Sequence, residues 1–181
     1  MFRSSLCLAL ALTALPITAA QAALKVGEKA PDFSTQVSLA GKAMPFSLKE
    51  ALGKGPVVLY FYPAAFTQGC TIEAHEFAEA TDDFKKLGAT VIGMSGDGIE
   101  KLNKFSVSEC RNKFAVGSAS PATITAYDVT LPKNPTVSNR TSYVIAPDGK
   151  VIYEYTSLSP DQHVANTLQA LRDWNAKHKA Q

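Results

Sequence analysis

The run Val57-Val58-Leu59-Tyr60-Phe61-Tyr62 constrains this chain more than any other stretch. Six consecutive apolar, β-branched or aromatic residues, with no alternation of polar positions, read as a strand buried on both faces. Such a strand needs a layer of helices on each side. The chain supplies them in order. Cys70 to Leu87 has Glu73 and Glu76 near its start, Lys85 and Lys86 near its end, and Gly88 as a stop, a charge order that suits a helix dipole. Ala89 to Met94 reads as a second buried strand, and Gly98 to Lys113 as a second helix with Ile99, Leu102 and Phe105 on one stripe.

Further along, a short strand is expected near Phe114–Val116, a short helix near Ala122–Tyr127, and a loop over Leu131–Asn139. Thr141–Ile145 and Val151–Tyr155, joined through Pro147-Asp148-Gly149, read as a β-hairpin. Ser159-Pro160-Asp161-Gln162 has the pattern of a capping box opening a last helix, with Val164, Leu168, Leu171 and Trp174 on one face. Strand, helix, strand, helix demands parallel strands with right-handed crossovers, and the hairpin adds antiparallel strands. The expected architecture is α/β: a mixed central sheet with helices on both faces, similar to the thioredoxin-like arrangement.

The chain of 181 residues is long enough for one domain with a real core. Eighteen Lys and Arg stand against sixteen Asp and Glu, a formal charge of +2. No basic excess is available to neutralise phosphates, so nucleic acid is not an expected partner. Three cysteines are too few and too scattered for a disulfide framework or a four-ligand zinc site, and neither metal nor cofactor is expected. Met1–Ala22 has one charge, Arg3, an apolar run interrupted by Pro16, and the ending Ala20-Gln21-Ala22. That is the pattern of a cleaved secretory signal. A membrane anchor normally needs about 20 apolar residues, so no stable membrane association is expected after cleavage. The mature domain is expected to be 23–181, exported to the periplasm or beyond, with two cysteines left, Cys70 and Cys110, and in a compartment where any disulfide could persist.

The chemistry concentrates where the first buried strand meets the first helix, at Pro63-Ala64-Ala65-Phe66-Thr67-Gln68-Gly69-Cys70. A cysteine in the first turn of a helix sees the positive end of the dipole and unpaired N–H groups, which favour the nucleophilic thiolate. Thr67 is suited to cap the helix, and Pro63 to stiffen the strand exit and keep water from the sulfur. By position alone, a small buried hydrophobe is the competing reading of Cys70.

Pro-x-x-x-Thr-x-x-Cys after an apolar strand resembles the active-site motif of the peroxiredoxins. Gly27-Glu28-Lys29-Ala30-Pro31-Asp32-Phe33 resembles the N-terminal segment of that family, and Cys70-Thr71-Ile72-Glu73 is similar to the Cys-Thr-x-Glu of its bacterioferritin comigratory protein (peroxiredoxin Q) branch. Arg140, before Thr141–Ile145, resembles the family's active-site arginine. The resemblance implies a thiol peroxidase that reduces hydrogen peroxide and organic hydroperoxides. Cys70 would be the nucleophile, becoming a sulfenic acid. Thr67, Arg140 and the Cys70 N–H would donate to the peroxide oxygens, and Glu73 would orient Arg140. A thioredoxin-like reductant is the implied partner, and the chain would be a monomer or homodimer.

The chain also departs from the pattern. His75 stands where many members of this branch carry a resolving cysteine, and Gln68 replaces a frequent proline. Gly117–Pro121 lacks an acidic turn. Cys110 is the remaining resolving candidate because some relatives place that cysteine on the second helix. If the helix runs through it, Cys110 lies about 20° from Ile99, on the apolar stripe, which equally fits a core residue without a role. The alternatives are a one-Cys peroxidase served by an external thiol and a thiol–disulfide exchange or chaperone-like module. The latter lacks its usual Cys-x-x-Cys here. A Cys–His hydrolase is disfavoured because His75 points about 140° from Cys70 on the helix and His163 and His178 fall in the last one.

Overall fold

The computed structural model describes residues 23–178; the expected signal segment, Met1–Ala22, lies outside them. The chain runs β1 (Ser34–Leu39), β2 (Lys42–Ser47), α1 (Leu48–Leu52), β3 (Val57–Phe61), α2 (Gln68–Lys86), β4 (Thr90–Ser95) and α3 (Ile99–Ser108). It continues through β5 (Ala115–Ser118), α4 (Pro121–Ala126), β6 (Thr130–Leu131), β7 (Asn134–Ser138), β8 (Thr141–Ile145), β9 (Val151–Thr156) and α5 (His163–His178). Seven strands form one mixed sheet in the order β2-β1-β5-β4-β3-β8-β9. β4 is parallel to both β3 and β5, and β8 is antiparallel to β3. This is the thioredoxin-like arrangement expected from the element order.

β3 divides the interior. Every residue of it is buried, and the pleat sends alternate side chains to opposite faces. Val58 and Tyr60, with Tyr62 just beyond, join Phe77, Phe84, Leu102, Phe105, Leu168 and Leu171 in one core. Val57, Leu59 and Phe61 join Leu48, Leu52, Ile124, Tyr127 and Tyr143 in the other. The first core is largely aromatic: the Tyr60 ring stacks on Phe77 at 4.3 Å, and Phe77 stacks in turn on Phe84 at 5.8 Å. Gly93 on β4 makes room for this, because a Cβ there would lie 2.6 Å from the Tyr60 ring.

The helix that carries Cys70 ends as its sequence implies. Gly88 takes φ +76°, its N–H donates to the Lys85 carbonyl, and the Ala89 N–H donates to the Phe84 carbonyl. This is the double hydrogen bond of a Schellman stop, and it leads directly into β4.

Three expectations need correction, and one element was not foreseen. The second helix ends at Ser108, not near Lys113. Arg111 and Asn112 adopt φ of +51° and +60°, which a continuous α-helix cannot accommodate, and the Cys110 N–H donates to the Phe105 carbonyl instead. Cys110 is nevertheless fully buried, so the helix-stripe argument gives the right burial from the wrong conformation. The capping box at 159–162 does not form: Ser159 donates to Asp161, Gln162 sits at φ +72°, and α5 begins at His163. The expected Leu131–Asn139 loop is mostly taken up by the small β6–β7 hairpin, which begins at Thr130. The β1–β2 hairpin was unexpected; its second strand is mostly exposed and carries Pro45, so no buried apolar run marks it in the sequence.

Because Phe77 joins two aromatic stacks at the centre of the core, Phe77→Ala is expected to lower unfolding stability by about 3–5 kcal/mol. Equilibrium denaturation of the reduced protein would check this, and Phe77→Leu should recover much of the loss.

Candidate active site

The register of β3 against β8 brings the site together. Phe61, the last residue of β3, pairs with Thr141, the first of β8. Arg140 therefore stands beside the exit of β3, where the chain turns through residues 63–67 into α2. Ser138 pins that exit by donating to the Tyr62 carbonyl at 2.9 Å. The turn itself is tied to the far side of the sheet: the Ala65 N–H donates to the Asp97 carboxylate at 2.7 Å, which also accepts from Ser95 at 2.9 Å and Lys101 at 2.7 Å. Within the turn, Phe66 takes φ +68°, a rare conformation for an aromatic residue, and sets its half-exposed ring edge-on to Phe105.

Cys70 is 2% exposed. The first intrahelical hydrogen bond of α2 runs from the Thr71 N–H to the Thr67 carbonyl at 2.9 Å. The N–H groups ahead of it, that of Cys70 included, are left for an anion. Arg140 is almost as buried, and each of its three nitrogens makes a bond. Nη2 donates to the Cys70 sulfur at 3.5 Å, Nη1 to Glu73 Oε2, and Nε to the Leu158 carbonyl at 3.0 Å. Glu73 is fully buried. Burial pushes its carboxyl up to about 8, against the pull of Arg140. Glu73 thus bonds Arg140 from a position closed to solvent.

Thr67 departs from expectation. It occupies the N-cap position, yet its hydroxyl makes no capping bond and donates instead to the Ala64 carbonyl at 3.0 Å. Its oxygen lone pairs stay free and the residue is exposed. Pro63 is half-buried at the strand exit, where it was expected. Cys110 belongs to the same apolar core as Cys70, and both are free thiols. Burial pushes the Cys110 thiol well up. His75 accounts for itself elsewhere: its Nε2 meets Glu109 at 2.8 Å, tying α2 to the turn that holds Cys110.

Sequence reasoning missed two members of the site. Asp97, which anchors the turn, reads in sequence only as an acidic residue before a helix. His163 was assigned merely to the last helix, but it is fully buried, with Nδ1 at 3.7 Å from Glu73. The available signal was its place in line with Thr167 and Leu171, four and eight residues on, which marks an inward-facing side.

A sulfur held against a buried guanidinium at a helix N-terminus is an arrangement for nucleophilic attack on a polar bond, with donors ready for the charge that leaves. Residues 26–154 match the model of the AhpC/TSA family. The chain is 32% identical to peroxiredoxin Bcp of Bacillus subtilis over 159 residues, covering 85% of this chain and 99% of that protein. It is 34% identical to the chloroplastic peroxiredoxin Q of Oryza sativa subsp. japonica over 156 residues, 81% of this chain and 66% of that one. Among solved structures, peroxidoxin BcpB of Mycobacterium tuberculosis superposes with a TM-score of 0.75 at 33% identity, covering 83% of this chain and 97% of that one. Motif, fold and relatives agree, and the chain belongs to the AhpC/TSA family, as a peroxiredoxin of the Bcp and peroxiredoxin Q kind.

Proposed function

We propose that Cys70 is the nucleophile of this thiol-dependent peroxidase and that its substrates are hydrogen peroxide and organic hydroperoxides. The observation that carries this reading is Arg140, a buried cation that bonds the Cys70 sulfur and a buried carboxylate at once. The Cys70 thiolate attacks the terminal oxygen of the peroxide. The S–O bond forms as the O–O bond breaks, sulfur is oxidised by two electrons, and the departing alkoxide or hydroxide takes a proton from solvent. Arg140 and the Cys70 N–H stabilise the charge on the departing oxygen. Thr67 serves as an acceptor for the peroxide O–H, since its own proton is held by Ala64. Glu73 keeps the guanidinium plane aimed at the sulfur, and Pro63 shields the strand exit.

The product is Cys70 sulfenic acid. We assign its resolution to the Cys110 thiol, which attacks the sulfenic sulfur and expels water to give a disulfide. A thioredoxin-like dithiol then reduces the disulfide by exchange. Both cysteines lie in one core, and Cys110 sits in a turn flanked by exposed Arg111, Asn112 and Lys113. Local opening there would release it. The complete burial of Cys110 favours a second reading, in which an external thiol attacks the sulfenic acid directly. The leader-like pattern of Met1–Ala22 supports an exported enzyme acting on peroxides outside the cytoplasm. Among the described residues no helix is long and apolar enough to cross a membrane.

Cys70→Ser should abolish peroxide consumption while the far-UV circular dichroism stays unchanged. In wild type, mass spectrometry after one equivalent of peroxide should find a Cys70–Cys110 disulfide, and in Cys110→Ser a sulfenic acid that proceeds to sulfinic acid at lower doses. Stable sulfenic acid in wild type with Cys110 still alkylatable would establish the external-thiol route instead. In single-turnover kinetics, Arg140→Ala should slow oxidation by about 10²–10³, and Thr67→Ser, which keeps the hydroxyl, should slow it far less. N-terminal sequencing of protein recovered from the exported fraction should begin at Ala23.

A further inference from the structure

One stripe of α2 meets the turn that follows α3. His75, Glu79 and Asp82 are spaced by four and three residues, and so share a helix face. Alternate residues of the turn bring them complementary groups. His75 Nε2 donates to the Glu109 carboxylate at 2.8 Å, Arg111 Nη1 lies 3.0 Å from Glu79, and Lys113 Nζ lies 3.8 Å from Asp82. Cys110 stands between the first two of these turn residues, with its side chain fully buried in the core.

The segment from 109 to 113 is short and irregular. Cys110 itself and Phe114 are its apolar anchors. Its backbone is tied by the Cys110 N–H to the Phe105 carbonyl, the Asn112 N–H to the Ser106 carbonyl, and the Lys113 N–H to the Cys110 carbonyl. Arg111 and Asn112 take φ of +51° and +60°. Residues other than glycine stay in that region only where their surroundings hold them there. Opening the turn relieves both, and the three side-chain pairs oppose the opening.

We propose that these three pairs form a latch on the Cys110 turn: its release sets how fast Cys110 meets the Cys70 sulfenic acid, and dissolved salt loosens it. This rests on Cys110 being the resolving cysteine. In the closed turn Cys110 is inert. Its sulfur is buried, and burial, with the Glu109 charge beside it, pushes the thiol well up. In the open turn water reaches the thiol, and its sulfur attacks the sulfenic sulfur. The S–S bond forms, the S–O bond breaks, and hydroxide departs with the Cys110 proton as water. The lifetime of the sulfenic acid, and so its exposure to a second peroxide, follows the fraction of time the turn is open.

The pairs are unequal. The Glu109 side chain is 18% exposed, so its bond to His75 is the least screened. Arg111 and Glu79 are 47% and 67% exposed, and salt reaches them freely. Asp82 also lies 3.9 Å from Lys85, so Lys113 has a competitor. Salt therefore acts chiefly through Arg111 and Glu79, and the His75 bond persists beneath it.

The test reads Cys110 in the reduced protein, without turnover, as the rate at which N-ethylmaleimide labels it, mapped by mass spectrometry. Glu79→Lys turns attraction to Arg111 into repulsion and should speed labelling about 3–10-fold, and His75→Ala should speed it about threefold. Adding Arg111→Glu to Glu79→Lys rebuilds the pair in reverse and should bring labelling back to within about twofold of wild type. Raising sodium chloride from about 0.05 to about 0.5 M should speed wild-type labelling about twofold, but should not speed it in Glu79→Lys, where salt screens a repulsion. After one equivalent of peroxide, the Cys70–Cys110 disulfide should form faster in Glu79→Lys by the factor seen in labelling, while oxidation of Cys70 keeps its wild-type rate. Leu48→Ala weakens the opposite core, away from the latch, and should leave labelling within about twofold of wild type. Unchanged labelling in both Glu79→Lys and His75→Ala would overturn the proposal. So would a reversed pair that restores nothing, wild-type labelling indifferent to salt, or acceleration by Leu48→Ala as large as by Glu79→Lys. If instead Cys110 is not the resolving cysteine, wild type forms no Cys70–Cys110 disulfide at all, whatever the labelling rates, so the two failures are distinguishable.

Discussion

Everything distinctive about this molecule follows from burying one guanidinium. Arg140 is 4% exposed, and a cation in such a place must have every hydrogen-bonding direction answered. The three partners come from two separate parts of the chain: Cys70 and Glu73 on α2, and the Leu158 carbonyl in the segment after β9. Glu73 in turn is tolerable in the interior only because Arg140 is there. The sulfur, the cation and the carboxylate therefore form one unit, and none of them has a plausible role alone. Breaking such a unit by removing one member strands a charge in the interior, which is costlier than the loss of any one hydrogen bond.

The sheet makes this unit possible. The antiparallel register of β3 and β8 places the start of one strand beside the end of the other, so residue 140 and the 63–67 turn are neighbours by topology. α2 then delivers Cys70 in its first turn and Glu73 one turn later, on the same face. Asp97, after β4, fastens the turn from the opposite flank. The site is thus held by the ends of three neighbouring strands. Its geometry depends on the packing of the aromatic core beneath, where Tyr60, Tyr62, Phe77 and Phe105 lie under Cys70.

Much of this was legible in the sequence, for identifiable reasons. Val57–Tyr62 and Ala89–Met94 are unbroken apolar runs, and only a doubly covered strand accounts for them. Gly88 marks the end of α2 because no other residue takes its conformation as cheaply. Cys70, Glu73 and Arg140 were assembled by spacing and resemblance, and the geometry keeps them together. What escaped notice depends on tertiary context. The end of α3 is dictated by two residues in the left-handed region, Arg111 and Asn112, and neither is a glycine. The β1–β2 hairpin is an exposed edge with little hydrophobic pattern. His163 is a lone histidine on an apolar helix face, and only the fold sets it against Ser142, Ser157 and the buried Glu73.

The sharing of one core by the two cysteines has an evolutionary side. Tyr60, Tyr62, Phe77 and Phe105 pack in a single cluster with Cys70 and Cys110. If, as proposed, the enzyme joins these cysteines in every cycle, it must loosen the cluster and rebuild it each time. Adaptation to heat usually proceeds by tightening such cores, and the usual cost is lost function where activity needs flexibility. In this lineage that route would slow the cycle at its second step and lengthen the life of the oxidised cysteine. Selection for robustness would then act at the periphery, on surface charge, loops and the outer hairpin, and leave the aromatic centre only as firm as turnover allows.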